Sequence, residues 1–155
     1  MNKVCINKRG FSLLELLIVI AIIVTIAVVG IGSFRNFGKG VALSSEAQIL
    51  ISDLKQVRSN SMIGAGGLKW GVHFVNNVDD YYELFSTPTN YNDAEKVISV
   101  TNSLPKGITF SVPEEGYTKD IIFNKITGDT DVETVGLYSE GVTETINITS
   151  IGTIY

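Results

Sequence analysis

The sequence predicts an α+β fold in which a long N-terminal helix, membrane-spanning in its first half and amphipathic in its second, packs on an antiparallel β-rich head. Three observations predict it. No charged residue occurs from Leu16 to Phe34. From Val41 to Ile63, apolar residues recur near helical spacing among charged ones. Beyond Gly67 the chain breaks into short β-rich runs divided by turn residues.

The uncharged run comes first. Leu16–Phe34 covers roughly 28 Å as a helix, enough to cross a hydrocarbon core. Its many Ile and Val residues would suit a strand in water, but in lipid an open strand leaves backbone groups unpaired, so a helix is expected. A plain signal anchor fits this run as well. An ordinary cleaved secretory signal fits less well, because its apolar core is only about 7–15 residues and ends in a small-residue site. Lys3, Lys8 and Arg9 precede the run and favour a cytoplasmic N-terminus, with the remainder of the chain outside. Glu15 sits just before this span. An acidic side chain at a bilayer centre costs about 2.5–3.5 kcal/mol, and such groups usually have a functional partner.

The amphipathic half follows. Gly38 and Gly40 each cost about 1 kcal/mol of helix propensity relative to Ala, so a flexible or bent stretch is expected there. Leu43, Ala47, Leu50, Ile51, Leu54, Val57 and Met62 form the expected buried stripe, with Glu46, Asp53, Lys55 and Arg58 between them. Gly64-Ala65-Gly66-Gly67 is the stop signal. Strands are then expected at Trp70–Val75, Tyr81–Phe85, Lys96–Thr101, Ile108–Val112, Asp120–Phe123, Thr134–Tyr138, Thr145–Thr149 and Thr153–Tyr155. Pro88, Pro105 and Pro113 fall between these runs or at their ends, in keeping with their exclusion from ladder interiors.

The leader Lys8-Arg9-Gly10, then Phe11-Ser12-Leu13-Leu14-Glu15 and an aliphatic helix, resembles the signal of type IV prepilins and type II secretion pseudopilins. The resemblance implies a pilin-like fold, cleavage by a prepilin peptidase between Gly10 and Phe11, and methylation of the new Phe11 amine. Glu15 then becomes the fifth mature residue and drives assembly by pairing with the terminal amine of a neighbouring subunit. It also implies a leader at 1–10, a transmembrane and assembly helix at 11–35, an amphipathic helix half at 36–66 and a β-rich head at 67–155. The expected setting is the inner (cytoplasmic) membrane, crossed once, with the head periplasmic or extracellular. The partners so implied are other pilin or pseudopilin subunits, the peptidase and the inner-membrane assembly platform.

Three further stretches resemble the H-type pseudopilin and related minor pilins: Leu54–Ile63 with its Arg58-Ser59 pair, Trp70-Gly71-Val72, and Ile122-Phe123-Asn124 with Gly128. The final Ile148–Ile154 extends the likeness. A major pilin forming the fibre body and a DNA-binding competence pilin are the alternatives.

No catalytic residues are expected. His73 is the only histidine and Cys5 the only cysteine, so neither a zinc site nor a Cys-His nucleophile can be assembled beyond the leader. His73 reads as structural. No cofactor or metal is expected, although Asp129, Asp131 and Glu133 alternate after Gly128 and could present oxygens to calcium. Without Lys3, Lys8 and Arg9 the chain carries nine basic against sixteen acidic side chains. Phosphate binding needs a basic patch, so a nucleic-acid partner is not expected unless Lys96, Lys106, Lys119 and Lys125 cluster.

Overall fold

The computed structural model describes residues 12–155, and only the backbone at positions 28–37 and 39. Helix α1 (Leu13–Met62) opens the described chain. Seven strands follow: β1 (Lys69–Val75), β2 (Tyr81–Thr87), β3 (Val97–Ser103), β4 (Thr109–Val112), β5 (Thr118–Phe123), β6 (Glu133–Ser139) and β7 (Val142–Ile148). Two compact units divide the chain, one through Gly38 and the other Lys39–Tyr155.

From Leu16 to Ala27 α1 carries apolar side chains on every side. Leu13, Leu17, Ile20, Ile23 and Ile26 are all exposed, and so are the residues between them. A helix of this kind is stable only when something other than water covers it. The helical assignment runs on through Gly38 and Gly40. Among the described residues, no helix is long and apolar enough to cross a membrane.

In the second unit the rest of α1 buries one stripe: Leu43, Ala47, Leu50, Leu54, Val57 and Ser61. The spacing alternates between three and four residues, which holds one face of a 3.6-residue helix toward the core. The expected stripe needs correction at its end. Met62 is exposed and Ile51 only partly buried, while Ser61 is fully buried. A helix turns 100° per residue, so continuing from Val57 by four reaches Ser61, and its hydroxyl is satisfied by donating to the Phe123 carbonyl at 2.6 Å.

The helix ends where the glycines permit a left-handed turn. Gly64 has φ 67° and Gly66 φ 66°, and a single 3-10 turn occupies Ala65–Gly67. Trp70 then ties the turn to β1, its indole N–H donating to the Ala65 carbonyl at 3.0 Å.

All strand pairs are antiparallel. One sheet has the order β3-β2-β1-β5 and the other β4-β6-β7. Alternation places Val72, Phe74, Tyr82, Leu84, Ile121 and Phe123 of the first sheet in the same core as Phe110, Val135, Leu137, Ile146 and Ile148 of the second and the α1 stripe. Seven of the expected runs match strands to within a few residues. The eighth, Thr153–Tyr155, forms only a bridge, Ile148 to Ile154, because Gly152 at φ 76° turns the chain tightly after β7.

The end of the first sheet remote from the α1 C-terminus is pinned by buried polar groups. Asp80 accepts from Asn77 N and Phe110 N, each at 2.9 Å. Asn76 donates to the carbonyls of Phe110 and Pro113 at 3.0 and 2.7 Å. Both side chains are nearly inaccessible, and these bonds offset the cost of taking them from water.

Candidate functional site

Of the residues singled out at the N-terminus, Glu15 is the one within the described chain. Gly10 and Phe11 lie outside the described residues. Ser12 precedes α1, and its Oγ accepts from Leu14 N at 3.2 Å while its carbonyl accepts from Leu16 N at 3.2 Å. Ser12 is therefore the N-cap, which satisfies one of the helix's orphan N–H donors. Glu15 stands in the first turn, where the positive end of the helix dipole favours a carboxylate. Ser12-Leu13-Leu14-Glu15 is also the order of a capping box, a signal present in the sequence that the assembly reading passes over. The ion pairs His73–Asp120 and Lys119–Glu133 lie in the head. Glu15 is an exposed acid beside exposed apolar side chains.

A second arrangement joins stretches that are far apart in sequence. Arg58 Nε donates to the Gly128 carbonyl at 3.1 Å, and its terminal nitrogen donates to the Ile151 carbonyl at 2.9 Å. One side chain on α1 thereby holds the turn after β5 and the loop after β7. A Cβ on Gly152 would lie 2.1 Å from the Gly128 oxygen and 2.5 Å from Arg58 Nε. Three of the stretches singled out in the sequence, around Arg58, around Gly128 and at Ile148–Ile154, meet here. The fourth, Trp70-Gly71-Val72, lies in β1, where a Cβ on Gly71 would strike the Ile121 oxygen at 2.7 Å and the Phe85 ring at 2.8 Å.

His73 is buried on the opposite face of the first sheet from α1, where it pairs with Asp120 across the β1–β5 ladder. The Tyr91 ring stacks on it with centroids 3.6 Å apart and planes 5° from parallel. Tyr91 donates its hydroxyl to Glu83 at 2.6 Å, meets Phe85 edge-on and carries Lys96 Nζ 3.4 Å above its other face. Burial first and the Glu83 carboxylate second push the Tyr91 hydroxyl pKa above its ordinary value. These contacts close the 88–96 loop over the sheet, and the sequence carries no sign of them beyond the residue types.

The acidic run after Gly128 does not converge. Asp129 accepts from Thr127, and that bond holds its carboxyl below the usual range. Glu133 pairs with Lys119 at 2.5 Å. Among the described residues no group of His, Cys, Asp and Glu is placed to hold a metal ion. The four lysines considered for phosphate binding are held apart: Lys96 on Tyr91, Lys119 on Glu133 and the Thr134 carbonyl, Lys125 on the Gly67 carbonyl, and Lys106 at the far end of the sheet.

Residues 5–33 match the prokaryotic N-terminal methylation motif. The chain thus carries the N-terminal signal of type IV pilins and pseudopilins, proteins anchored in a membrane and then assembled with other pilin subunits into filaments. No curated protein and no solved structure matches the chain.

Proposed function

We propose that this chain is a structural subunit of a type IV pilus or type II secretion pseudopilus, a minor pilin or H-type pseudopilin that helps to initiate, cap or decorate the filament. The observation that carries the reading is the methylation motif over residues 5–33, continuous with a helix whose apolar side chains are exposed on every side. In this reading residues 1–10 are the leader, 11–35 the membrane and assembly segment, 36–66 the amphipathic helix half and 67–155 the head. A prepilin peptidase cuts between Gly10 and Phe11 and methylates the Phe11 amine. The precursor crosses the inner membrane once, head outward, and the assembly platform lifts it into the filament. The subunit acts by packing and performs no catalysis.

Glu15 supplies the docking force. Once the helix leaves lipid for a packed bundle, its carboxylate meets the terminal amine of the neighbouring Phe11, and stranding one partner of such a buried pair costs about 3–5 kcal/mol. The pair also sets axial register, as single buried polar groups do in coiled coils.

The test is the mass of the mature N-terminus together with recovery from sheared filaments. We expect methylated Phe11 as the first residue, and a loss of filament entry for Glu15→Val without loss of cleavage. An intact leader on the chain in pilus-bearing cells overturns the reading, and normal filament entry by Glu15→Val overturns the role of Glu15.

A further inference from the structure

Beyond residue 5 the chain holds a single sulfur atom, the thioether of Met62. Met62 is the last residue of α1 and is 42% exposed. It lies four residues after Arg58, so the two side chains are neighbours on one helix face. A Cβ placed on Gly128 would fall 2.6 Å from Met62 Cγ, 2.9 Å from its Sδ and 3.3 Å from Arg58 Nε. The thioether therefore rests on the Gly128 main chain, beside the nitrogen whose one N–H goes to the Gly128 carbonyl.

The turn under that sulfur is strained. It is closed by Asn124 N to the Asp129 carbonyl and by Gly128 N to the Asn124 carbonyl. Within it Ile126 holds φ 76°, a conformation costly for a β-branched residue. Such a conformation persists only where its surroundings hold it in place. Here those surroundings are the Ser61 carbonyl on Ile126 N, the Arg58 guanidinium on the Gly128 carbonyl, and Met62 packed on Gly128. The loop after β7 is tied to the same place by Thr130 N to the Ser150 carbonyl and by Arg58 to the Ile151 carbonyl.

We propose that Met62 is an oxidation site through which a peroxide reversibly loosens the Arg58 clamp. The sulfur lone pair attacks one peroxide oxygen, the O–O bond breaks and an S–O bond forms. The thioether becomes a sulfoxide, and the departing hydroxide takes up the remaining proton as water. A flexible apolar group is thereby replaced by a larger polar one with a strong acceptor oxygen. That oxygen has no room on the Gly128 side. It either draws the Arg58 Nε proton away from the Gly128 carbonyl or swings out to water and takes the side chain with it. Both movements remove a support from the turn at Asn124–Asp129, and the strain at Ile126 favours its opening. Processing of the leader has no bearing on this chemistry.

The test uses the full chain in detergent with Cys5→Ser, treated with hydrogen peroxide at neutral pH and followed by peptide mass and amide exchange. We expect one added oxygen on the peptide holding Met62, formed within about tenfold of the rate for a free methionine amide. Exchange at 124–130 and 149–152 should quicken about tenfold while β1 and β2 keep their protection. Methionine sulfoxide reductases of both stereochemical classes should reverse the two changes together. Met62→Gln, a polar neutral side chain, should show the faster exchange without peroxide, and Met62→Leu should not respond to peroxide. Oxidation of Met62 more than about a hundredfold slower than the free amide overturns the proposal. So does oxidation that leaves exchange in both loops unchanged, or equal quickening in Met62→Leu. Filament entry of the untreated chain is scored separately, so failure here leaves the subunit assignment standing.

Discussion

Arg58 on α1 and Ile151 in the loop after β7, 93 residues apart in sequence, are joined by a 2.9 Å hydrogen bond from the guanidinium to a main-chain carbonyl. The same guanidinium reaches the Gly128 carbonyl at 3.1 Å. A planar fork can serve two carbonyls at once, which an ammonium on a flexible stem does poorly. The helix is thereby fastened to two loops that are also joined to each other by Thr130 N to the Ser150 carbonyl, and to α1 by Ile126 N to the Ser61 carbonyl.

Removing the fork should loosen the head. Arg58→Lys should cost about 1–3 kcal/mol, the range of one or two hydrogen bonds to a charged group in a partly exposed position. Urea unfolding of the full chain measures it. A midpoint unchanged from the parent would show that the loops hold themselves.

Gly152 should be far less replaceable than Gly107. Both have left-handed φ, 76° and 88°, but a side chain at Gly107 meets nothing within 4 Å, whereas at Gly152 it collides with the Gly128 oxygen and Arg58. Gly107→Ala should cost about 1–2 kcal/mol from backbone strain alone. Gly152→Ala should cost about 3–5 kcal/mol, because the clamp must also open. Paired unfolding curves decide between the two sites, and equal losses would mean that the clamp yields freely.

Alkaline pH should weaken the head through tyrosine. Tyr82 is buried and donates to Asp53 at 2.7 Å, while Asn102 donates to the same oxygen at 3.1 Å. Burial first and the Asp53 hydrogen bond second raise the Tyr82 pKa above its ordinary value of 10.0. A folded-state pKa above the unfolded one means that the contribution is complete below pH 10. It is then lost as pH rises, because the unfolded chain ionises first. Unfolding midpoints should therefore hold to about pH 9 and fall beyond about pH 10. Tyr82→Phe should lower the neutral midpoint and flatten that fall.

The strap over His73 should open without unfolding the head. Tyr91→Ala removes the stack on His73, the bond to Glu83 and the seat of Lys96 in a single change. Amide exchange should quicken in residues 88–96 by about tenfold while β1 and β2 keep their protection. Faster exchange across the whole sheet would instead make Tyr91 part of the core.

Much of this architecture is legible in residue patterns. The alternation that buries Val72 and Phe74, or Ile146 and Ile148, is written into the chain with period two, and the glycines after Met62 can mean only a stop. The partner of each polar residue is not. His73 meets Asp120 and Tyr91 because β1 lies beside β5 and a loop folds back over it, and nothing within a few residues of His73 encodes either event. Met62 and Ser61 show the same limit. Apolarity favours Met62 for the core, yet helical phase places Ser61 there, and only the nearby Phe123 carbonyl makes that burial affordable.

The primary sequence alone determined the local features: an uncharged helix-forming run behind basic residues, Glu15 at its edge, the methylation motif, and a head built from short alternating strands. These follow from composition and spacing, which act over one or two turns of chain. Tertiary structure decided the rest. Strand order, the Arg58 clamp and the separate seats of the lysines all depend on which distant segments meet. That choice is made by burying one shared core, a property of the folded chain as a whole and of no segment within it.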